Sequence, residues 1–187
     1  MSEWVCRLTP TIGAASWKFD MSENALSAQF HITTRRELRD AHERIVHAVS
    51  QLTDEDIWWR PYEEQNTIGN ILLHLCGNMG QWLVSGVGGA PDTRKRPGEF
   101  AERTPISKIE LLMKLSKVVA AADEAIVRCS ESELLRVRNV QHGPQTGMAA
   151  IFHSVSHLIG HTQEIIYITR LRLETKYDFR GISATSK

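Results

Sequence analysis

Three histidines recur at intervals of four in one apolar stretch: His153, His157 and His161. Residues four apart lie on one face of an α-helix, one turn above another. Adjacent turns bring two imidazoles within reach of a common ion, the logic by which an HxxxH pair binds zinc. Three imidazoles in line span about 12 Å of helical rise, so one ion does not easily collect all of them. Two ligands are expected from this run, with another role for the third. His74 stands among Ile71, Leu72, Leu73 and Leu75. Taken alone, such a histidine reads as a hydrogen-bonded core residue, because a buried imidazole needs a partner. A facing helix with an HxxxH pair offers a different partner, a shared metal. His74, His157 and His161 then form a three-histidine site with at least one coordination position open, as in reactive metal sites. Imidazoles suit zinc, nickel, copper and iron alike, so the element is not fixed.

Neighbouring residues have two readings each. Glu164 follows His161 by three positions and would orient it as a hydrogen-bond acceptor, or simply solvate a helix edge. Asn70 precedes His74 by four and shares its face. It would line the pocket and hold a metal-bound water, or make a polar contact at the helix end. His153 is the spare member of the run. His31, His42 and His47 belong to another segment, and the last two differ by five positions, which suits surface or capping roles. His142, in Gln141-His-Gly-Pro144, defaults to a turn. Of the three cysteines, Cys6, Cys76 and Cys129, none forms a CxxC pair. So sparse and odd a set fits a reducing cytoplasm. Cys76 is two positions from His74, points away from its face, and is not expected to be a nucleophile. GxGxxG, Walker A, GxSxG and HExxH motifs are absent.

The elements that must position these residues are helices. Phe30, Thr34, Leu38, Ala41, Ile45, Ala48 and Leu52 predict a first helix over about 27–51. Thr53 with Asp56 forms a capping-box pattern before a short turn that Pro61 ends. A second helix starts near Thr67 and stops by Gly86–Pro91, and 91–103 reads as a charged surface loop. A third starts at Thr104 with Pro105 at its first position, and carries Ile109, Leu112, Leu115, Val119, Ala122 and Ile126. Residues 132–147 read as a second irregular connection, and a fourth helix covers about 146–172. Four such helices bury their faces only against each other, which predicts an all-α four-helix bundle without useful β-structure. The expected organisation is an N-terminal extension over 1–26, a bundle over 27–172 and a tail over 173–187. Trp4, Trp17 and Phe19 are apolar enough for the extension to pack on the body.

The order of three motifs resembles the DinB superfamily, the DinB/YfiT-like metal-binding four-helix bundles. They are Leu52-Thr-Asp-Glu-Asp-Ile-Trp-Trp-Arg-Pro61, Asn66-Thr-Ile-Gly-Asn-Ile-Leu-Leu-His74-Leu-Cys-Gly-Asn78 and His153-Ser-Val-Ser-His157-Leu-Ile-Gly-His161-Thr-Gln163. Together they cover about 27–172. The resemblance implies that His74, His157 and His161 bind one divalent ion, zinc or nickel, and that His153 matches a histidine that is common but not a ligand. Here His161 is followed by Thr162-Gln163-Glu164, where the family commonly has Arg-Gly-Gln. Characterised relatives include thiol S-transferases and maleylpyruvate isomerases.

Function classes narrow accordingly. The chain has 187 residues and a formal net charge of zero, without the basic footprint of a nucleic-acid binder. No apolar run reaches the roughly 18–20 residues of a membrane span, and no signal-peptide pattern opens the chain. A cytoplasmic protein is expected, with room for a homodimer. The first functional expectation is a metal-dependent thiol S-transferase with a low-molecular-weight thiol cosubstrate and a small electrophile. The alternatives are a metal-dependent hydrolase or isomerase, and a non-enzymatic metal-binding or stress-associated helical protein.

Overall fold

The computed structural model describes residues 25–141 and 143–179. The expectations for residues 1–24, including Cys6, Trp4, Trp17 and Phe19, and for His142 lie outside those residues. So does the end of the tail beyond Phe179.

The first long helix, α1, spans Ala25–Ser50, with Leu38, Ala41, Ile45 and Ala48 of the expected stripe buried. The short α2, Asp54–Ile57, starts at a capping box: Thr53 Oγ1 accepts from the Asp56 amide, and the Thr53 amide donates to the Asp56 carboxylate. The same device starts α3, Ile68–Met79, where Thr67 and Asn70 exchange two hydrogen bonds. A π-helical turn, Gly80–Ser85, continues α3.

The region beyond departs from expectation in three places. First, 91–103 is not simply a surface loop. It contains α4, Arg96–Ala101, which packs on α3. Second, helix α5 is Lys108–Arg128 and does not begin at Thr104 with Pro105. Ser107 caps it by accepting from the Glu110 amide at 3.2 Å, while the Lys108 amide donates to Asp54 at 2.8 Å. Two of the helix's free N–H groups thus find partners at this start. Third, 132–147 is ordered rather than irregular: α6, Glu131–Leu135, leads into strands β1, Val137–Val140, and β2, Gly143–Thr146. The strands pair antiparallel, with Val137 opposite Thr146 and Val140 opposite Gly143. Polar Arg138, Asn139 and Gln145 mask the strand pattern in the sequence. Arg138 holds the hairpin in place by donating to the carbonyls of Gly86 and Val87, both at 3.1 Å, and to Glu133.

The last long helix, α7, runs Gly147–Leu173 from its cap at Thr146. Its start is crowded: a Cβ at Gly147 would collide with the Glu133 carbonyl, so only glycine fits this approach to α6. Helix α1 packs on α7 and α5, and α3 packs on α5 and α7, closing a four-helix bundle. Leu38, Ile45, Leu72, Leu75, Leu115 and Leu158 are fully buried in its core. Past α7 the chain returns to α1, where the Asp178 amide donates to Gln51 at 2.7 Å. Among the described residues, no helix is long and apolar enough to cross a membrane.

This packing has two measurable outcomes. Leu75→Ala, at a position with no exposed surface, is expected to cost about 2–5 kcal/mol in denaturant unfolding. Leu171→Ala, at a side chain 54% exposed, should stay within about 0.5 kcal/mol of wild type. The second outcome concerns acid. Hydrogen bonds from Arg172 and Thr53 hold the Asp56 carboxyl below its usual range, and Arg35 does the same for Asp123. A carboxyl depressed in the folded state stabilises above its unfolded pKa, and this is lost as pH falls through the folded value. Asp56→Asn and Asp123→Asn should therefore flatten the acid limb of stability against pH, most clearly between about pH 5 and 2.

Candidate metal centre

Helix α3 presents His74, 6% exposed, toward α7. Helix α7 presents the half-buried His157 and His161 from successive turns. Each residue offers one ring nitrogen, and the three nitrogens lie within 4.8 Å of one another. His74 Nε2 and His157 Nε2 are 3.3 Å apart. Ring centroids are separated by 5.0 Å for His74–His157, 5.3 Å for His74–His161 and 4.6 Å for His157–His161. This is a three-histidine cluster capable of coordinating a divalent ion.

Two carboxylates fix the rings from outside. Nδ1 of His74 donates to Glu99 Oε2 at 2.9 Å, and Nδ1 of His161 donates to Glu164 Oε2 at 2.6 Å. A proton committed to Nδ1 leaves the Nε2 lone pair of each ring available to a ligand. His157 has no such carboxylate. Its Nδ1 is buried without a hydrogen bond, and its Nε2 faces that of His74.

The electrostatics favour the neutral form of His157 and His74. Burial, followed by the neighbouring histidines and Arg94, pushes His157 down to about 4. Burial also lowers His74, although Glu99 opposes the shift. His74 and His157 therefore keep a lone pair at neutral pH. Burial opposes ionisation of Glu99, but hydrogen bonds from Arg94 and His74 outweigh it and keep the carboxyl below the usual range. The Glu164 carboxyl is lowered first by its bond from His161.

The remaining residues singled out from sequence divide between the edge of this cluster and other parts of the bundle. His153 stacks on Trp82 at 4.0 Å between centroids and is 5.8 Å from the His157 ring. Asn70 serves the helix start and does not reach the cluster: its side chain completes the Thr67 capping box and donates to the carbonyls of Glu99 and Glu102. Phe100 lies against His74 at 4.9 Å. His42 pairs with Ser116 and His47 with the Asp178 carbonyl. Cys76 is half-buried, and burial pushes its thiol up to about 12, so it is a poor source of thiolate.

Sequence reasoning missed Glu99 and Arg94. Both lie in the charged stretch read as a loop. Yet the Glu99 and Arg94 side chains are only 9% and 4% exposed. Arg94 holds Glu99 through two hydrogen bonds of 2.8 and 2.9 Å. Arg94 Nη2 also lies 3.2 Å from His74 Nδ1, because both donors converge on the same carboxylate. The available signal was the Pro97-Gly98-Glu99-Phe100 run, where an aromatic residue and a proline near a helix start interrupt the charges.

The comparisons with known proteins agree with this architecture. The chain is similar in structure to a conserved protein from Enterococcus faecalis, with a TM-score of 0.62 and 18% identity over 81% of this chain and 98% of that one. It is also similar to a DinB-like protein from Bacillus cereus ATCC 10987, with a TM-score of 0.57 and 16% identity over 71% of this chain and 85% of the other. At these identities the likeness concerns the fold alone. No curated protein matches the chain. A family described as protein of unknown function (DUF1572) matches residues 25–186. The chain therefore belongs to the DUF1572 family, with the DinB-like four-helix-bundle fold.

Proposed function

We propose that His74, His157 and His161 bind one divalent ion, zinc or nickel, and that the protein is a metal-dependent thiol S-transferase acting on a small electrophile. The observation that carries the reading is the convergence of three ring nitrogens within 4.8 Å. The donor set fits such an ion: imidazole is its commonest protein ligand, and His157 Nε2 lies 3.3 Å from His74 Nε2 with no carboxylate on its own ring. A bound divalent ion supplies positive charge that stabilises a thiolate against its proton.

The chain's own groups do the rest. Glu99 and Glu164 orient two of the rings. His157 and His161 are only half-buried, so their side of the cluster meets solvent. Cys76, held as a thiol by burial, does not compete as a nucleophile. In this reading the sulfur comes with a cosubstrate thiol: the thiol gives up its proton, a C–S bond forms at the electrophilic carbon, and that carbon's bond to its leaving group breaks, the leaving group departing with the electron pair.

Metal-assisted hydrolysis is favoured less, for a specific reason. It calls for a carboxylate poised as general base. Glu164 and Glu99, the carboxylates beside the cluster, are both engaged by histidine Nδ1 atoms.

Two measurements test the reading. Protein purified without chelator or nickel resin should carry about one ion per chain by elemental analysis, the stoichiometry of a single mononuclear site. The folded His74→Ala, His157→Ala, His161→Ala triple variant should carry none, whereas His153→Ala should retain it. Equal occupancy in wild type and a folded triple variant would reject the site. In the cobalt-substituted protein, small thiols should shift the visible spectrum. No shift with any thiol tried, in a protein that binds cobalt, would overturn the transferase assignment while keeping the metal.

A further inference from the structure

One face of α3 carries Asn70, His74 and Gly77 at intervals of four and three, and continues into Gln81 in the π-helical turn. The segment 92–102 lies along this row and touches every member. Asn70 Nδ2 donates to the carbonyls of Glu99 and Glu102 at 3.0 and 3.2 Å. His74 Nδ1 meets the Glu99 carboxylate. Gln81 accepts from Arg94 Nη1 at 3.0 Å and donates to Asp92 at 2.8 Å. At Gly77 there is no side chain, and a Cβ built there would collide with Glu99 Oε1 and stand 3.0 Å from Arg94 Nε.

We propose that this segment is a strap that positions the His74 ligand, with Glu99 and Arg94 as positioning residues and Gly77 as the gap that admits them. The inference rests on the metal reading above and extends it to residues outside the histidine cluster. Each contact has a separate part. Asn70 fixes the strap's backbone beside the helix start. Arg94 and Gln81 fix its other end, and Arg94 holds Glu99 by both carboxylate oxygens. Glu99 is then aimed at one nitrogen of one ring. A ring held this way enters the metal site with its orientation and tautomer already set, so less freedom is lost on binding.

Burial separates this arrangement from a surface ion pair. Glu99 and Arg94 are nearly enclosed, and the carboxylate has exchanged water for Arg94 and His74. Removing a ligand-orienting carboxylate of this kind typically lowers metal affinity about 10- to 100-fold.

Gly77→Ala gives a test that replaces neither a ligand nor a charged residue. The atom it displaces is the end of a flexible side chain, so the carboxylate can swing aside without moving the backbone. Cobalt titration, followed by absorbance with folding checked by circular dichroism, should show wild-type binding and a Kd raised at least about tenfold in both Glu99→Gln and Gly77→Ala. In the Gly77→Ala, Glu99→Gln double variant the loss should be about that of one substitution, because both act through the same contact. A merely structural role would lower stability but leave the Kd of the folded protein unchanged. Unchanged Kd in folded Glu99→Gln, with wild-type binding intact, overturns the strap's role alone. Additive losses in the double variant also overturn it. A wild-type protein without saturable cobalt binding overturns the metal reading and this inference together.

Discussion

A buried imidazole has two nitrogens, and each must be given a partner. That requirement organises one end of this molecule. His74 sits beside the buried Ile71, Leu72 and Leu75 of α3, which exclude water. One of its nitrogens is met by a carboxylate, which is itself buried and must in turn be neutralised. Arg94 does so, and Gln81 satisfies part of Arg94. The chain of obligations therefore runs outward from one ring to the surface. It fixes the path of a segment that composition alone would leave in solvent. The other nitrogen faces α7, where two more rings converge. Bundle packing and site chemistry are thus coupled through His74.

The bundle was legible because its signal is redundant. In α1 the residues at every third and fourth position are apolar, and in the structure most of that stripe is core. The triad was legible for a related reason: HxxxH spacing reports helical geometry directly, and a histidine inside an aliphatic run is conspicuous. Glu99 and Arg94 carried no comparable mark. Their neighbours Lys95, Arg96, Glu102 and Arg103 look the same in sequence, and only tertiary contact separates the buried pair from the solvated charges. Nothing periodic distinguishes them, since α4 is shorter than two turns.

Two smaller misreadings share a cause. Thr104-Pro105 and Ser107 both satisfy local rules for a helix start. What separates them is Asp54, more than fifty residues away, which takes the Lys108 amide. The hairpin after α6 likewise depends on Arg138 reaching carbonyls at the end of the π-helical turn. Local chemistry proposes several solutions in such places, and long-range hydrogen bonds select one. Asn70 shows the opposite case. Its capping role could be read locally, while its grip on the strap could not.

The π-helical turn has a consequence for how this fold tolerates change in length. A π-turn accommodates a residue beyond α-helical register, and it rotates the chain on its C-terminal side relative to the helix on its N-terminal side. Here it comes after His74 in the chain. A gain or loss of one residue in this turn would therefore leave the phase of His74 against α7 untouched. It would instead re-aim Trp82, which backs His153, and the glycine-rich exit that receives Arg138. Variation in chain length at this point would remodel the surroundings of the histidines while sparing their mutual alignment, so it offers a route by which related sequences diversify the approach to a shared centre.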